Sequence, residues 1–456
     1  MTLPIALLEK YSQPGPRYTS YPTAPYFTES FGEREWRNEL AQSQLAGRDL
    51  SLYVHIPFCD TLCYYCGCNM VATRDYSKAT HYLNYLLREI DLLAASAGQG
   101  RTVRQFHWGG GTPTYLHPDD IGHLAQHIHA RFEFAPDVEA GCEVDPRELT
   151  QAHVQALRAA GFNRLSLGVQ DLDHTVQLAV NRVQSAALIR QVLRWMRAEG
   201  FNSINMDLMV GLPKQTVASF THTLDQVIDM APDRLAVFGY AHVPWMKKHQ
   251  KLIQETDIPS FAVRLEMQLL VHEKLAQAGY VYIGMDHFAK PGDELVKAQR
   301  EKTLHRNFQG YTTHKNCDIY AFGSSAISQT DEVYAQNYKR LAEYQAKVDA
   351  GHLPVERGLR ITRDDKIRRD AISRVMCDLR LERTAFAAQW GIDFDQYFDS
   401  TLQALNSLEQ DTLVRITAEC IEVTAIGRFF LRNIAMCFDA YLASADRQKP
   451  RYSRTI

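Results

Sequence analysis

Apolar and polar residues alternate over several short stretches of the chain. In residues 50–56 the apolar set is Leu50, Leu52, Val54 and Ile56, with Ser51, Tyr53 and His55 between them. Residues 138–144 place Glu139, Gly141 and Glu143 on one side, 164–170 place Ser166, Gly168 and Gln170 there, and 203–209 place Ser203, Asn205 and Asp207 there. Side chains two apart share a face of a strand, so each stretch predicts a strand with one apolar and one polar side. Longer stretches with helical spacing lie between them. Three of these end alike, at Gly161-Phe162, Gly200-Phe201 and Gly279-Tyr280. Glycine suits the left-handed position that follows a helix C-terminus, and a strand-like run comes soon after each. The first two lie 39 residues apart and the third 79 further on, close to two such steps. The boundary between falls at Met230-Ala231-Pro232-Asp233, where proline stops the helix instead. A repeating unit of one strand and one helix predicts parallel strands with right-handed crossovers, in a sheet or a barrel.

The polar faces carry the next inference. Parallel strands buried on both sides ordinarily read as continuous apolar runs. If helices cover the apolar side here, the polar sides converge on a lumen lined by Tyr53, Glu143, Gln170 and Asp207. Such side chains fill a core badly and suit a polar, charged ligand; the alternative is a sheet with one face in solvent. Outside this region, residues 1–48 read as an N-terminal arm, with Arg17, Tyr18 and Tyr21 dense in GPRYTSYPT and no helical or strand period. Residues 49–360 form the barrel domain and its extension, although 290–360 give few clear signals. Residues 361–456 read as a small, mainly helical domain. It has a basic helix (RDDKIRRDAISRVMCDLR), two further helical patterns, a strand-turn-strand at LVRITAECIEVTA, a last helix through FFLRNIAMCFDAYL, and a mobile tail, RQKPRYSRTI.

Composition excludes several classes. A chain of 456 residues with 45% hydrophobic and 23% charged residues is an ordinary globular protein, long enough for a large core without disulfide staples. Lys and Arg total 50 against 53 Asp and Glu, so no basic excess points to nucleic acid or a membrane surface. No run approaches the roughly 18 apolar residues of a membrane span. The start, MTLPIALLEKYSQ, lacks the basic and apolar regions of a secretory signal. There are nine cysteines, an odd number, which favours a reducing cytoplasm and thiol chemistry.

Four cysteines fall within ten residues: Cys59, Cys63, Cys66 and Cys68. They follow the strand ending at Ile56-Pro57, at the mouth where such folds hold their active sites. Structural zinc takes two ligand pairs set further apart. Close-set thiolates fit an iron–sulfur cluster better, and three ligands on a four-iron cluster leave one iron open. The glycines of Trp108-Gly109-Gly110-Gly111-Thr112-Pro113 end the next strand. They let backbone approach a ligand closely, without the spacing of a dinucleotide or phosphate loop.

A Cys-x-x-x-Cys-x-x-Cys loop after the first strand and a glycine-rich segment after the second resemble the radical S-adenosylmethionine enzymes. More narrowly, PRYTSYPT, HIPFC, CYYCGCN, HWGGGTPTYL, EVDPRE, GFNRLSLGVQD, MDLMVGLP and GMDHFA resemble the branch that decarboxylates porphyrinogens in anaerobic haem biosynthesis, over nearly the whole chain. The resemblance implies an α/β fold, a partial (β/α) barrel. It implies one 4Fe–4S cluster on Cys59, Cys63 and Cys66, with Cys68 not a ligand, and two molecules of S-adenosylmethionine. By position Tyr53, Gly110, Glu143 and Ile327 then contact the first molecule. Tyr65, Cys66, Gly67, Gly111, Thr112, Gln170, Arg182, Asp207 and Ala241 contact the second or its surroundings. The implied substrate is coproporphyrinogen III, two of whose propionates become vinyl groups in protoporphyrinogen IX. The implied partners are a low-potential electron donor such as flavodoxin and an electron acceptor, acting on a cytoplasmic monomer. Arg17 and Tyr18 are candidate contacts to the substrate. Haem-binding chaperones share the scaffold, but they usually have an aromatic at the position of Cys68 and lack the PRYTSYPT arm.

Overall fold

Seven parallel strands form the frame that positions the cysteine loop in a computed structural model, which describes residues 5–443 and 452–455. We number ten strands of this sheet β1 (Leu50–Ile56), β2 (Thr102–Gly110), β3 (Glu133–Val144), β4 (Arg164–Gln170), β5 (Ser203–Val210), β6 (Arg234–Gly239), β7 (Asp318–Phe322), β8 (Ile327–Gln329), β9 (Val333–Asn337) and β10 (Val355–Arg360). Their spatial order is β10-β9-β8-β7-β1-β2-β3-β4-β5-β6. Strands β7 and β1 to β6 run parallel, and β8 to β10 continue the sheet antiparallel. β-helix-β crossovers join β1 to β6: helices Ser77–Ala97, Pro118–His129, Gln151–Ala159, Ala186–Ala198 and Val217–Met230 each lie between consecutive strands.

The helices form where the sequence supplies caps as well as apolar faces. Thr150, Ser185 and Thr216 each accept a hydrogen bond from the first-turn backbone of the helix they precede, which satisfies a donor the helix cannot use. Gly161, Gly200 and Gly279 have φ of 92°, 81° and 84°, and at the proline boundary Ala231 takes φ 52° instead. The strand alternation follows the predicted register. In β5, Ile204, Met206, Leu208 and Val210 are buried, while Ser203, Asn205, Asp207 and Met209 are half-buried. Burying each such aliphatic side chain contributes about 1.5–3 kcal/mol.

The chain divides into two compact units, each discontinuous in sequence: residues 27–278 with 316–360, and residues 1–26 with 279–315 and 361–456. The first holds the ten strands numbered above. Within the stretch read as an arm, Glu33–Ala46 forms a 14-residue helix of this unit, on which Trp36 is buried edge-on to Tyr320. The charged and amide side chains along this helix mask its short apolar face in the sequence.

In the second unit, Arg432 donates to the carbonyls of Gly15, Pro16, Ser453 and Arg454. Tyr18 donates to Asp439 at 2.9 Å, and Arg17 pairs with Asp286 at 2.5 Å. The tail expected to be mobile is therefore held over 452–455, with Pro14 bridged to Arg454; its residues 447–451 and 456 lie outside the described residues. The basic helix ends at Ser373 and widens into a π-turn, after which Arg380–Glu382 joins Val414–Ile416 and Cys420–Val423 in a three-stranded sheet. The expected last helix is broken into Leu431–Met436 and Ala440–Ala443.

Candidate functional site

The cysteine loop leaves β1 at Pro57 and is fastened along its length. Val71 N donates to Pro57 O and Thr73 N to Cys59 O, at 2.7 and 2.9 Å. Tyr64 N donates to Val180 O at 3.0 Å, and the Asn181 amide donates to Leu62 O at 2.9 Å. From the other side, three side chains of one short segment reach the loop's carbonyls. Lys247 Nζ donates to Cys68 O and His249 Nε2 to Cys66 O, both at 2.7 Å, and Gln250 Nε2 donates to Tyr65 O at 3.0 Å. Gln250 Nε2 also donates to Ala241 O at 3.3 Å, which joins two of the residues singled out from sequence. Tyr64 and Tyr65 pack on Val176, Val180, Leu212, Tyr240 and Ile253.

The glycine run sits against the start of this loop. Gly110 has φ 119°, and a Cβ there would lie 2.8 Å from the His55 ring. A Cβ on Gly111 would lie 2.7 Å from the Pro57 carbonyl. Only glycine lets the two strand ends come so close. Thr112 is buried, with Oγ1 3.2 Å from Cys59 Sγ. Gly110 N donates to Glu143 Oε2 at 3.2 Å, leaving the Glu143 carboxylate half exposed (49%). Tyr53 stacks on His107 and reaches His55 Nδ1 at 3.2 Å; His55 Nε2 meets Asn69 O at 2.9 Å. His55 is thereby satisfied within the fold, as its burial requires.

Behind Cys63 lies a buried ionic knot. Asp145 pairs with Arg147 at 2.7 Å and Arg182 at 2.9 Å, and both guanidinium groups come within 3.5 Å of Cys63 Sγ. Burial alone would raise the Asp145 carboxyl; Arg182, then Arg147, hold it below the ordinary carboxylate range. Arg182 also donates to Gly168 O at 2.5 Å. The carboxylate partner of Arg182 is thus Asp145 rather than Glu143 or Asp207. Asp207 receives hydrogen bonds from Ser166 at 3.1 Å and Asn205 at 2.7 Å. Burial, reinforced by Glu143, pushes Asp207 up to about 7.

Gln170 ends β4 in a left-handed conformation, φ 66°, past a register shift between Gly168 and Gln170. Its Oε1 and the Nε of Arg182 are buried without a hydrogen-bond partner. Each therefore has hydrogen-bonding capacity to spare for a bound molecule or water. Gly67 and Cys68 are exposed, and Ile327 stands apart at the start of β8, opposite Gln336. Asp145, Arg147, Asn181, Lys247, His249 and Gln250 had not been singled out. Asp145 and Arg147 were legible in EVDPRE; nothing local marks the other four.

Three thiols on a loop at the mouth of a parallel sheet, with glycines opposite, define the class, and the comparisons agree. Residues 53–227 match the model of the Radical SAM superfamily, so this is a radical S-adenosylmethionine protein. Over 452 residues the chain is 48% identical to the oxygen-independent coproporphyrinogen III oxidase of Escherichia coli, covering 99% of this chain and 98% of the relative. It is 46% identical to that of Pseudomonas aeruginosa, with the same coverage, and 41% identical to that of Helicobacter pylori over the full length of both. The solved structure of the Escherichia coli coproporphyrinogen III oxidase, described as a radical SAM enzyme, superposes with a TM-score of 0.92 at 47% identity, covering 97% of this chain and 99% of that one. The chain belongs to the oxygen-independent coproporphyrinogen III oxidase family.

That family carries a 4Fe–4S cluster and S-adenosylmethionine. The donor set here fits both. The cysteines are free thiols. In a four-iron cluster each thiolate binds a different iron, so the ligands need to ring a volume. Gln170 Oε1 and Arg182 Nε offer an unused acceptor and donor to a molecule bearing both an ammonium and a carboxylate. Among the described residues no helix is long and apolar enough to cross a membrane.

Proposed function

We propose that this chain catalyses the oxygen-independent oxidative decarboxylation of coproporphyrinogen III to protoporphyrinogen IX. Each of two propionates loses a β-hydrogen atom, one electron and carbon dioxide, leaving a vinyl group. The 48% identity over 99% of the chain carries this reading. No feature of the site favours haem carriage.

Cluster and S-adenosylmethionine, when bound, supply a carbon radical able to take hydrogen from the propionate. The chain's own residues hold and screen them. Cys59, Cys63 and Cys66 are the cluster ligands, and Cys68 is not one. The Arg147 and Arg182 guanidinium groups beside Cys63 offset thiolate charge, and Asp145 keeps them aimed there. Tyr53, Gly110, Glu143 and Ile327 hold one S-adenosylmethionine. Tyr65, Gly67, Gly111, Thr112, Gln170, Arg182, Asp207 and Ala241 surround a second. Carboxylates Glu143 and Asp207, with Gln170 Oε1, suit the cationic ammonium and sulfonium, and Arg182 suits the carboxylate. Arg17 and Tyr18 are the arm's candidates for the tetrapyrrole. A low-potential one-electron donor of the flavodoxin kind supplies the cluster, a separate acceptor takes the substrate's electron, and the protein works as a cytoplasmic monomer.

The test is an anaerobic assay of the reconstituted protein with dithionite, S-adenosylmethionine, an electron acceptor and coproporphyrinogen III, read by mass spectrometry. Loss of two carboxyl groups, dependent on S-adenosylmethionine, is expected. An unchanged tetrapyrrole with the cluster intact and no 5′-deoxyadenosine formed would refute the reading.

A further inference from the structure

The segment that clamps the cysteine loop also carries much of the exposed apolar surface. Among the described residues six large hydrophobic side chains are exposed, and three of them, Trp245 (58%), Met246 (61%) and Leu252 (55%), lie within eight residues of each other. Two more, Leu178 and Val183, flank Val180 and Asn181, whose backbone and side chain bond the loop from the opposite side. Exposed apolar groups concentrated in this way mark an interaction surface, whereas single scattered ones do not.

Within the segment itself the charge has one sign. Residues 243–254, VPWMKKHQKLIQ, contain Lys247, Lys248, Lys251 and His249 and no acid, in a chain of formal net charge −3. Lys248 and Lys251 are exposed. Lys247 and His249 turn inward onto the carbonyls of Cys68 and Cys66. Lys251 also borders an open hollow of about 410 Å³ lined with His242, Ile253 and Glu255, the acid that follows the segment and lies 3.5 Å from His242. An apolar centre with an aromatic, a methionine and a lysine rim has the anatomy of a transient protein interface for an acidic partner.

We infer that residues 243–254, with the 178–183 turn, form the docking surface for the electron donor, an acidic protein bearing a low-potential one-electron centre. The inference rests on the reading above that Cys59, Cys63 and Cys66 hold the cluster. Its reason is distance. Electron tunnelling weakens steeply with separation, so the donor must seat beside the cluster, and this surface is hydrogen-bonded directly to the ligand Cys66. The transfer moves one electron from the donor's reduced centre, which is oxidised by one unit, to the cluster, which is reduced by one; no bond is made or broken.

The experiment uses the wild-type holoenzyme and a purified flavodoxin. Hydrogen–deuterium exchange should show protection of 243–254 and 178–183 on adding flavodoxin at low salt, lost at high salt. In turnover, Lys248→Glu combined with Lys251→Glu should raise the flavodoxin KM at least tenfold and leave dithionite-driven turnover within twofold of wild type. Protection elsewhere or nowhere would overturn the inference. So would protection of the same residues by anionic vesicles, by coproporphyrin III or by raising the concentration of the protein alone, since each assigns the surface to another occupant. A parallel fall in dithionite-driven turnover would assign the lysines to the site itself and equally overturn it. Failure of the proposed reaction is seen separately, as absence of dithionite-driven decarboxylation by the wild type.

Discussion

Glu89 offers a test of how the wall beside the cysteine loop is held. It lies on the helix Ser77–Ala97 and is 1% exposed. Its carboxyl accepts from Tyr344 OH at 2.6 Å, Asn337 Nδ2 at 2.6 Å and Gly323 N at 2.7 Å. Two turns away on the same helix, Tyr82 OH donates to His55 O and accepts from Ser324 N, both at 2.9 Å. Together they tie the β7–β8 turn, which leads to Ile327, onto the end of β1. Burial outweighs the three hydrogen bonds and pushes Glu89 up from its ordinary 4.5 to about 7. A carboxyl whose folded value is raised binds its proton more tightly in the folded state. Its contribution to stability is therefore full below 4.5 and is lost as pH rises through 7. Integrating a 2.5-unit difference at about 1.4 kcal/mol per unit gives a loss of about 2.5 kcal/mol between pH 5 and pH 8. In a unit of this size that corresponds to roughly 5 °C in melting temperature. Glu89→Gln abolishes this part of the pH dependence. It also turns an amide N–H₂ toward donors, which lowers stability by about 1–3 kcal/mol where the wild-type proton is still bound. Thermal melts of both proteins from pH 5 to 8 check this: the wild-type curve should fall more steeply and the difference between them narrow as pH rises. Parallel curves would refute the assignment of a raised carboxyl to Glu89.

Three further outcomes follow from the site. Asp145→Asn leaves Arg147 and Arg182 buried without a counter-charge and should cost about 3–5 kcal/mol, seen as a lower melting temperature and reduced iron content after reconstitution; a wild-type melting temperature would contradict the ionic knot. Because Asp207 is raised to about 7, it must shed its proton to face a cation, so S-adenosylmethionine affinity should weaken as pH falls below 7, by up to about tenfold per unit. Titration calorimetry on Asp207→Asn should find weaker binding with no such slope, and a slope equal to wild type would reject the role. Cys59→Ser, Cys63→Ser and Cys66→Ser should each lose the cluster's visible absorbance after reconstitution, whereas Cys68→Ser should keep it; loss in the last would overturn the ligand assignment.

Periodicity read along the chain located the strands because the alternation is a property of each strand alone. Strands β1 and β4 span 50–56 and 164–170, the stretches named from alternation, and the glycines that end helices carry the left-handed conformation that only their own backbone requires. The thiol spacing and the glycine run were equally local, and so was the fold class that they imply. The helix Glu33–Ala46 was not legible, because its few buried side chains are set among charges that face solvent.

Which groups meet across the fold was decided only in three dimensions. Glu143 and Asp145 stand at the end of β3 and Asp207 lies within β5, with β4 between them, and nothing in their order says which one Arg182 neutralises. Burial chose Asp145, 37 residues away, because a buried guanidinium needs a carboxylate within hydrogen-bond reach. The clamp from Lys247, His249 and Gln250 onto the cysteine loop spans more than 175 residues, and the grouping of residues 1–26 with 279–315 and 361–456 is likewise discontinuous. Such contacts form between side chains and carbonyls that carry no pattern of their own. The sequence therefore determined the elements and their chemistry, and the tertiary structure decided the pairings, since a partner is selected by the burial of charge and polar backbone that only the assembled fold creates.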